Sequence, residues 1–249
     1  QEFHIYCESE IYFYAVVAQI KTKFYESSVF KQEILGYHKM KQSDVYQATM
    51  EFMRVFQETF VQIPKDLKER FFITSFCAHM FCRLFKRVHV DVDGYYVMSE
   101  VNDRYPVLKH KVLSTIRQLY DQTGNDLFLM EDFLLQKYIL LFSSVLPLTY
   151  YEPEIVIYLD TDLPYFIAKD IEERILYRYK YDYHIVFKKL TDTHKIDLML
   201  TNIPNTLEEM NRYSSHVQLF DYPIKERDLI DIGKKLQYLA QEKSEATIL

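Results

Sequence analysis

A histidine with arginines beside it, and a pair of aspartates two residues apart, are the groups in this chain whose spacing could support chemistry. His79 stands in the stretch KERFFITSFCAHMFCRLFKR, from Lys68 to Arg87. Read as one helix, the stretch carries Phe72, Ile73, Phe76, Cys77, Met80 and Leu84 as an apolar stripe at three- and four-residue steps. His79 falls at the edge of that stripe, about 60° round from Phe76 at roughly 100° per residue. Arg83 follows it by four residues and Ser75 precedes it by four, so all three share a face. An imidazole so placed can serve as a half-buried packing residue bonded through its ring nitrogens. It can also accept or sense a phosphoryl group, with Arg83 and Arg87 compensating the added negative charge.

The second constellation is Asp160-Thr161-Asp162, which follows the apolar run Ile155-Val156-Ile157-Tyr158-Leu159. Two carboxylates at a strand end can hold Mg²⁺ or Mn²⁺ in a metal-dependent glycosyltransferase, or supply nucleophile and acid in a phosphatase of the haloacid-dehalogenase type. The first needs a nucleotide-binding α/β half before the aspartates, where this chain reads helical. The second needs a later lysine and paired acids, for which Lys195 and Asp197 are the available residues. The alternative is that Asp160 and Asp162 cap the next helix at its positive end.

Composition limits the choices. The chain has 249 residues and a net charge of −6, with four glycines and three cysteines. Residues 1–148 carry 17 basic and 18 acidic side chains, net −1; residues 149–249 carry 13 and 18, net −5. Neither part is basic enough to suggest a nucleic-acid face. Scarce glycine argues against a glycine-rich phosphate cradle. Cys7, Cys77 and Cys82 lack zinc or disulfide spacing, and Cys77 and Cys82 read as small core residues. A reducing, cytoplasmic setting is expected. No apolar run is long enough to span a membrane, and no signal peptide opens the chain. Gln1 leads straight into helical pattern, so the chain is expected to be a piece of something longer. His89, Asp91 and Asp93 sit in a charged loop; His184 and His194 lie near strand ends without companion ligands. No metal, cofactor or catalytic residue is expected.

The elements that must position these groups fall into two sets. Helical pattern runs from Phe3 to about Phe30, ending at Gly36; from Ser43 or Asp44 as N-cap to about Val61; and through the His79 helix, capped by Asp66 after Pro64. It resumes near Tyr105, with Pro106 in the first turn, and runs to about Tyr120, then again from Leu127 to about Val145 after Gly124-Asn125-Asp126. From Glu152 the grammar becomes strand–helix. Strands are expected at 155–159, 183–187, 196–200 and 217–220, with helices at 164–179, 207–213 and 224–241 and a frayed tail after Lys243. Tyr177, Tyr179, Tyr181 and Tyr183 alternate as cover for an edge or interface. The fold class is therefore α plus α/β: a five-helix bundle over 1–148, then a small open βαβ sheet over 149–249.

The histidine helix FFITSFCAHMFCRLFKR and the opening EIVIYLDTDLPYFIAKDIEERI, in that order, resemble the C-terminal part of Mga/AtxA-type virulence transcription regulators of Gram-positive bacteria. Those proteins join helix-turn-helix DNA-binding domains to phosphotransferase-system regulation domains (PRDs) and then to an enzyme IIB-like domain. The resemblance implies that His79 is the regulatory phosphorylation site, with His38 and His110 as further candidates. Arg83 and Arg87 would then be the phosphate-compensating residues. It implies the phosphocarrier HPr or another phosphotransferase-system protein as donor, homodimers, and DNA contact only through an N-terminal domain that this chain lacks. A working enzyme IIB carries a nucleophilic cysteine at the end of its first strand, where a thiolate meets backbone amides. Here that place reads Leu159-Asp160-Thr161-Asp162, so the domain is expected to carry no phosphocysteine.

Overall fold

The computed structural model describes residues 7–86, 104–190, 195–203, 214 and 216–248. The chain divides into two units. The first includes 7–86 and Lys109–Leu146; the second includes 104–108 and everything described from Pro147 onward.

The first unit is helical. Its elements are α1 (Glu8–Ile20), α2 (Ser28–Lys41), α3 (Asp44–Thr59), α4 (Lys68–Leu84), α5 (Pro106–Thr123, its first residues counted with the second unit) and α6 (Glu131–Val145). The expected single N-terminal helix is two. Lys21 is extended, a 3-10 turn spans Thr22–Glu26, and the Ser27 side chain accepts from the Phe30 amide to start α2. Gly36 lies inside α2 rather than ending it. The stop is Gln42, in the left-handed region at φ 47°. Six helices therefore stand among the described residues, where the sequence pattern suggests five. Ser43 caps α3 as expected, accepting from Tyr46 N at 3.2 Å. Asp66 does not cap α4, whose N-cap position is Leu67. After Gly124, at φ +62°, Asn125 caps a 3-10 turn, so the next α-helix begins at Glu131 rather than Leu127.

Helix α4 is the axis of this unit, touching α1, α3, α6 and both 3-10 turns. Its neighbours fill the space with rings. Phe52 stacks on Tyr138 with centroids 3.9 Å apart, and Phe56 meets Phe142 edge-on at 4.7 Å. Phe52, Phe56, Phe76, Phe128, Tyr138 and Phe142 are all completely or almost completely buried.

Among the described residues the second unit holds a four-stranded sheet in the order β2-β1-β3-β4, with β1 Ile155–Asp160, β2 Ile185–Phe187, β3 Leu198–Thr201 and β4 Val217–Leu219. Every pairing is parallel. A parallel sheet is covered on both faces, hence the unbroken apolar runs; all four residues of β3 are buried. Helix α7 (Tyr165–Tyr179) links β1 to β2. Helix α8 (Glu226–Ile248) closes the chain and stays helical through the stretch expected to fray. Ile155, Ile157, Ile171, Ile175, Leu198 and Ile232 form the core. Of the four alternating tyrosines, Tyr177 and Tyr181 are exposed. Tyr179 is wedged against α8 instead. Its Oη donates to Leu229 O at 2.5 Å, and a Cβ at Gly233 would lie 2.6 Å from that oxygen. The expected helix at 207–213 lies outside the described residues, and no described helix is long and apolar enough to cross a membrane.

Candidate functional site

The His79 ring is fully buried, not at the edge of a stripe. Between Arg70 and Arg83 the sequence has no charged residue. A helix apolar all round is buried all round, and Ser75 through Cys82 are buried without exception. Thr49 of α3 and Tyr138 of α6 close over the imidazole. Thr49 Oγ1 lies 2.9 Å from Nδ1 and Tyr138 Oη lies 2.6 Å from Nε2. Thr49 gives its own proton to Val45 O at 2.8 Å. Its oxygen therefore accepts from Nδ1–H, which leaves Nε2 to accept from the Tyr138 hydroxyl. Phe52 and Phe128 meet the ring edge-on at 5.9 and 5.6 Å. Burial pushes the imidazole pKa down to about 3, and no charged group among the described residues acts on it. The ring is neutral, with both nitrogens satisfied.

The arginines do not attend it. Arg83 is 48% exposed and pairs with Asp44 at 2.9 Å; Arg87 lies outside the described residues. The expectation of a half-exposed imidazole with a cation within reach is corrected accordingly. A phosphoryl donor reaches Nδ1 or Nε2 only if α3 or α6 first draws back, breaking a buried hydrogen bond. Thr49 and Tyr138 carry no signal in the sequence that ties them to His79. The charge-free span of α4 is the signal that announces the burial.

His38 is half-buried at the end of α2. Its Nδ1 lies 2.7 Å from Ser43 Oγ, and its ring packs edge-on against Phe76 at 5.1 Å. Desolvation lowers its pKa, opposed by the Asp44 carboxylate. His110 is exposed on α5, between Lys109 and Lys111. Cys77 and Cys82 are buried thiols with raised pKa values, Cys77 pushed up to about 12 by desolvation; Cys7 is exposed.

In the second unit β1 ends on Asp160. Order β2-β1-β3 reverses direction at the β1/β3 boundary, the place where open parallel sheets bind ligands at their carboxyl ends. There Thr201 Oγ1 donates to Asp160 Oδ2 at 3.3 Å, and Asn202 Nδ2 to Asp162 Oδ1 at 3.1 Å. Each carboxylate thus has its own partner on the β3 side. Neither caps α7: its N-cap position is Pro164, without a side-chain bond, and Thr161 Oγ1 accepts from Leu163 N instead. Asp197, the acid paired in the sequence with Lys195, precedes β3. Parallel pairing puts it at the opposite end of the sheet from Asp160. It is buried, accepts from Val156 N at 2.8 Å, and is paired with Lys243 at 2.6 Å. The four residues cannot converge on one substrate. Among the described residues no three His, Cys, Asp or Glu side chains form a metal-binding group. His89, Asp91, Asp93 and His194 lie outside the described residues.

Comparisons with known protein families, with curated proteins and with solved structures find no match for this chain.

Proposed function

We propose that this chain is the regulatory and self-associating part of a bacterial transcription regulator of the Mga/AtxA type, controlled by histidine phosphorylation from the sugar phosphotransferase system. The observation that carries the reading is the pairing of an all-helical unit with a four-stranded parallel βαβ unit whose first strand ends in Asp160-Thr161-Asp162. In this reading the helical unit is PRD-like and the sheet unit is enzyme IIB-like. None of the three cysteines belongs to the sheet unit, and two carboxylates repel a phosphate. The sheet unit is then an assembly element rather than a phosphoryl carrier, and DNA contact belongs to a domain outside this chain.

The acceptor histidine within this reading is a surface one. His110 is exposed and so open to a donor protein such as HPr, which would add a charge of roughly −1.5 to −2; Lys109 and Lys111 flank it in the sequence. His38 is the second candidate. His79 is left with a packing role unless the unit opens. The test is phosphoryl transfer from radiolabelled phosphoenolpyruvate through enzyme I and HPr to the full chain. Acid-labile label that survives His79→Ala and is lost in His110→Ala is the expected result. Label lost only in His79→Ala would move the site back to α4, and no histidine label at all would overturn the reading.

A further inference from the structure

We propose that a cavity in the second unit binds a small uncharged polyhydroxylated molecule of monosaccharide size. The cavity is about 570 Å³, within the range of ligand pockets. It lies at the amino-terminal end of β1 and β2, roofed by one face of α8 on which residues 237, 241, 244, 245 and 248 recur at helical spacing.

The charged groups of its wall are already engaged. Arg104 pairs with Asp182. Glu152 accepts from the amides of Val107 and Leu108 at 3.3 and 2.8 Å, satisfying the start of α5. Glu245 accepts from Gln241 Nε2 at 2.9 Å. Three carboxylates against one guanidinium also make the cavity a poor host for an anion. What remains able to donate or accept is the Ser244 hydroxyl, the Gln237 amide, Gln241 Oε1 and His184 Nε2. His184 Nδ1 faces Glu152 O at 3.3 Å, which leaves Nε2 as an acceptor.

Ser244 is the sharpest of these signs. It is only 6% exposed, and among the described residues its hydroxyl has no partner. Buried helix hydroxyls ordinarily bond back to the carbonyl four residues earlier. Thr49, Ser75 and Thr115, the other buried hydroxyls on described helices with such a bond, all do so. Ser244 does not bond to Ala240 O, and it lines the cavity. A hydroxyl on a largely buried residue that opens into the cavity without a protein partner, beside side-chain amides and an imidazole edge, matches the alternating donors and acceptors of a polyol.

The inference stands apart from phosphorylation of the helical unit. It is tested by ligand-observed saturation-transfer NMR on the full chain with glucose, mannitol and ribose as probes and glucose 6-phosphate as the charged counterpart. At least one neutral probe is expected to bind saturably in the millimolar range. Ser244→Ala and the surface change Gln241→Leu should each weaken it by about three- to tenfold, the worth of one hydrogen bond. Phe166→Ala, on a distant exposed side chain, should leave it unchanged. No saturable binding of any neutral probe, binding indifferent to both cavity variants, or tighter binding of glucose 6-phosphate would overturn the assignment.

Discussion

A neutral histidine sealed inside a helical unit should make that unit lose stability in mild acid, and His79→Leu should remove the effect. The imidazole pKa falls from 6.5 to about 3 on folding. Because the folded value lies below the unfolded one, the stabilisation is complete above the unfolded pKa. It is lost as pH falls from there towards the folded value, since the unfolded chain takes up the proton first. Within that window the loss is about 1.4 kcal/mol per pH unit, so near pH 5 it reaches about 2 kcal/mol. The assay is urea denaturation followed by circular dichroism, resolved into separate transitions for the two units, from about pH 7.5 down to about pH 5, above the range where most carboxylates titrate. Groups elsewhere in the chain contribute equally to both proteins, so the quantity to read is the difference in slope between the native chain and His79→Leu. The leucine variant loses partners for Thr49 and Tyr138, but that offset does not vary with pH in the window. A flatter curve for the variant is expected. Parallel curves would mean that the imidazole is not held neutral, and would refute the burial argument. As a cross-check, Tyr138→Phe leaves Nε2 buried without a donor and should cost about 1–3 kcal/mol in the native background. That cost should largely vanish alongside His79→Leu, since the two share one hydrogen bond.

Two further predictions concern the sheet unit. Gly233→Ala places a methyl 2.6 Å from Tyr179 Oη; overpacking of this kind should destabilise by about 1–3 kcal/mol, and Tyr179→Phe, which removes the nearest atom, should recover part of the loss in melting temperature. Lys243→Met strands the buried Asp197 carboxylate, held otherwise by the Val156 amide. A loss of about 2 kcal/mol is expected for a pair whose lysine is partly exposed, and combining it with Asp197→Asn should shrink that loss in the same denaturation measurement.

Sequence alone determined the elements whose cause is local. The unbroken run from Ile155 to Leu159 demands a strand covered on both faces; Ser43 starts α3 by accepting an amide three residues on; Pro106 fits the first turn of α5 because that turn needs no amide from it. Local pattern also misled in places. Gly36 stayed inside a helix, where a single glycine costs only about 1 kcal/mol, and the stop fell to Gln42. Asp160 and Asp162 bonded to residues of the β3 side instead of capping α7, a choice fixed by strand pairing across 41 and 40 positions.

Tertiary structure alone decided the condition of the chemical groups. His79 is neutral and closed because residues 30 and 59 positions away supply its two partners, and no periodicity within α4 encodes which helices meet it. Glu152 is spent on amides 45 and 44 residues earlier, while Ser244 is left open because nothing among the described residues reaches its hydroxyl. Residue type sets what a side chain can donate or accept, but water exclusion and the supply of partners come from segments remote in sequence, and those settle whether the group is spent or still available.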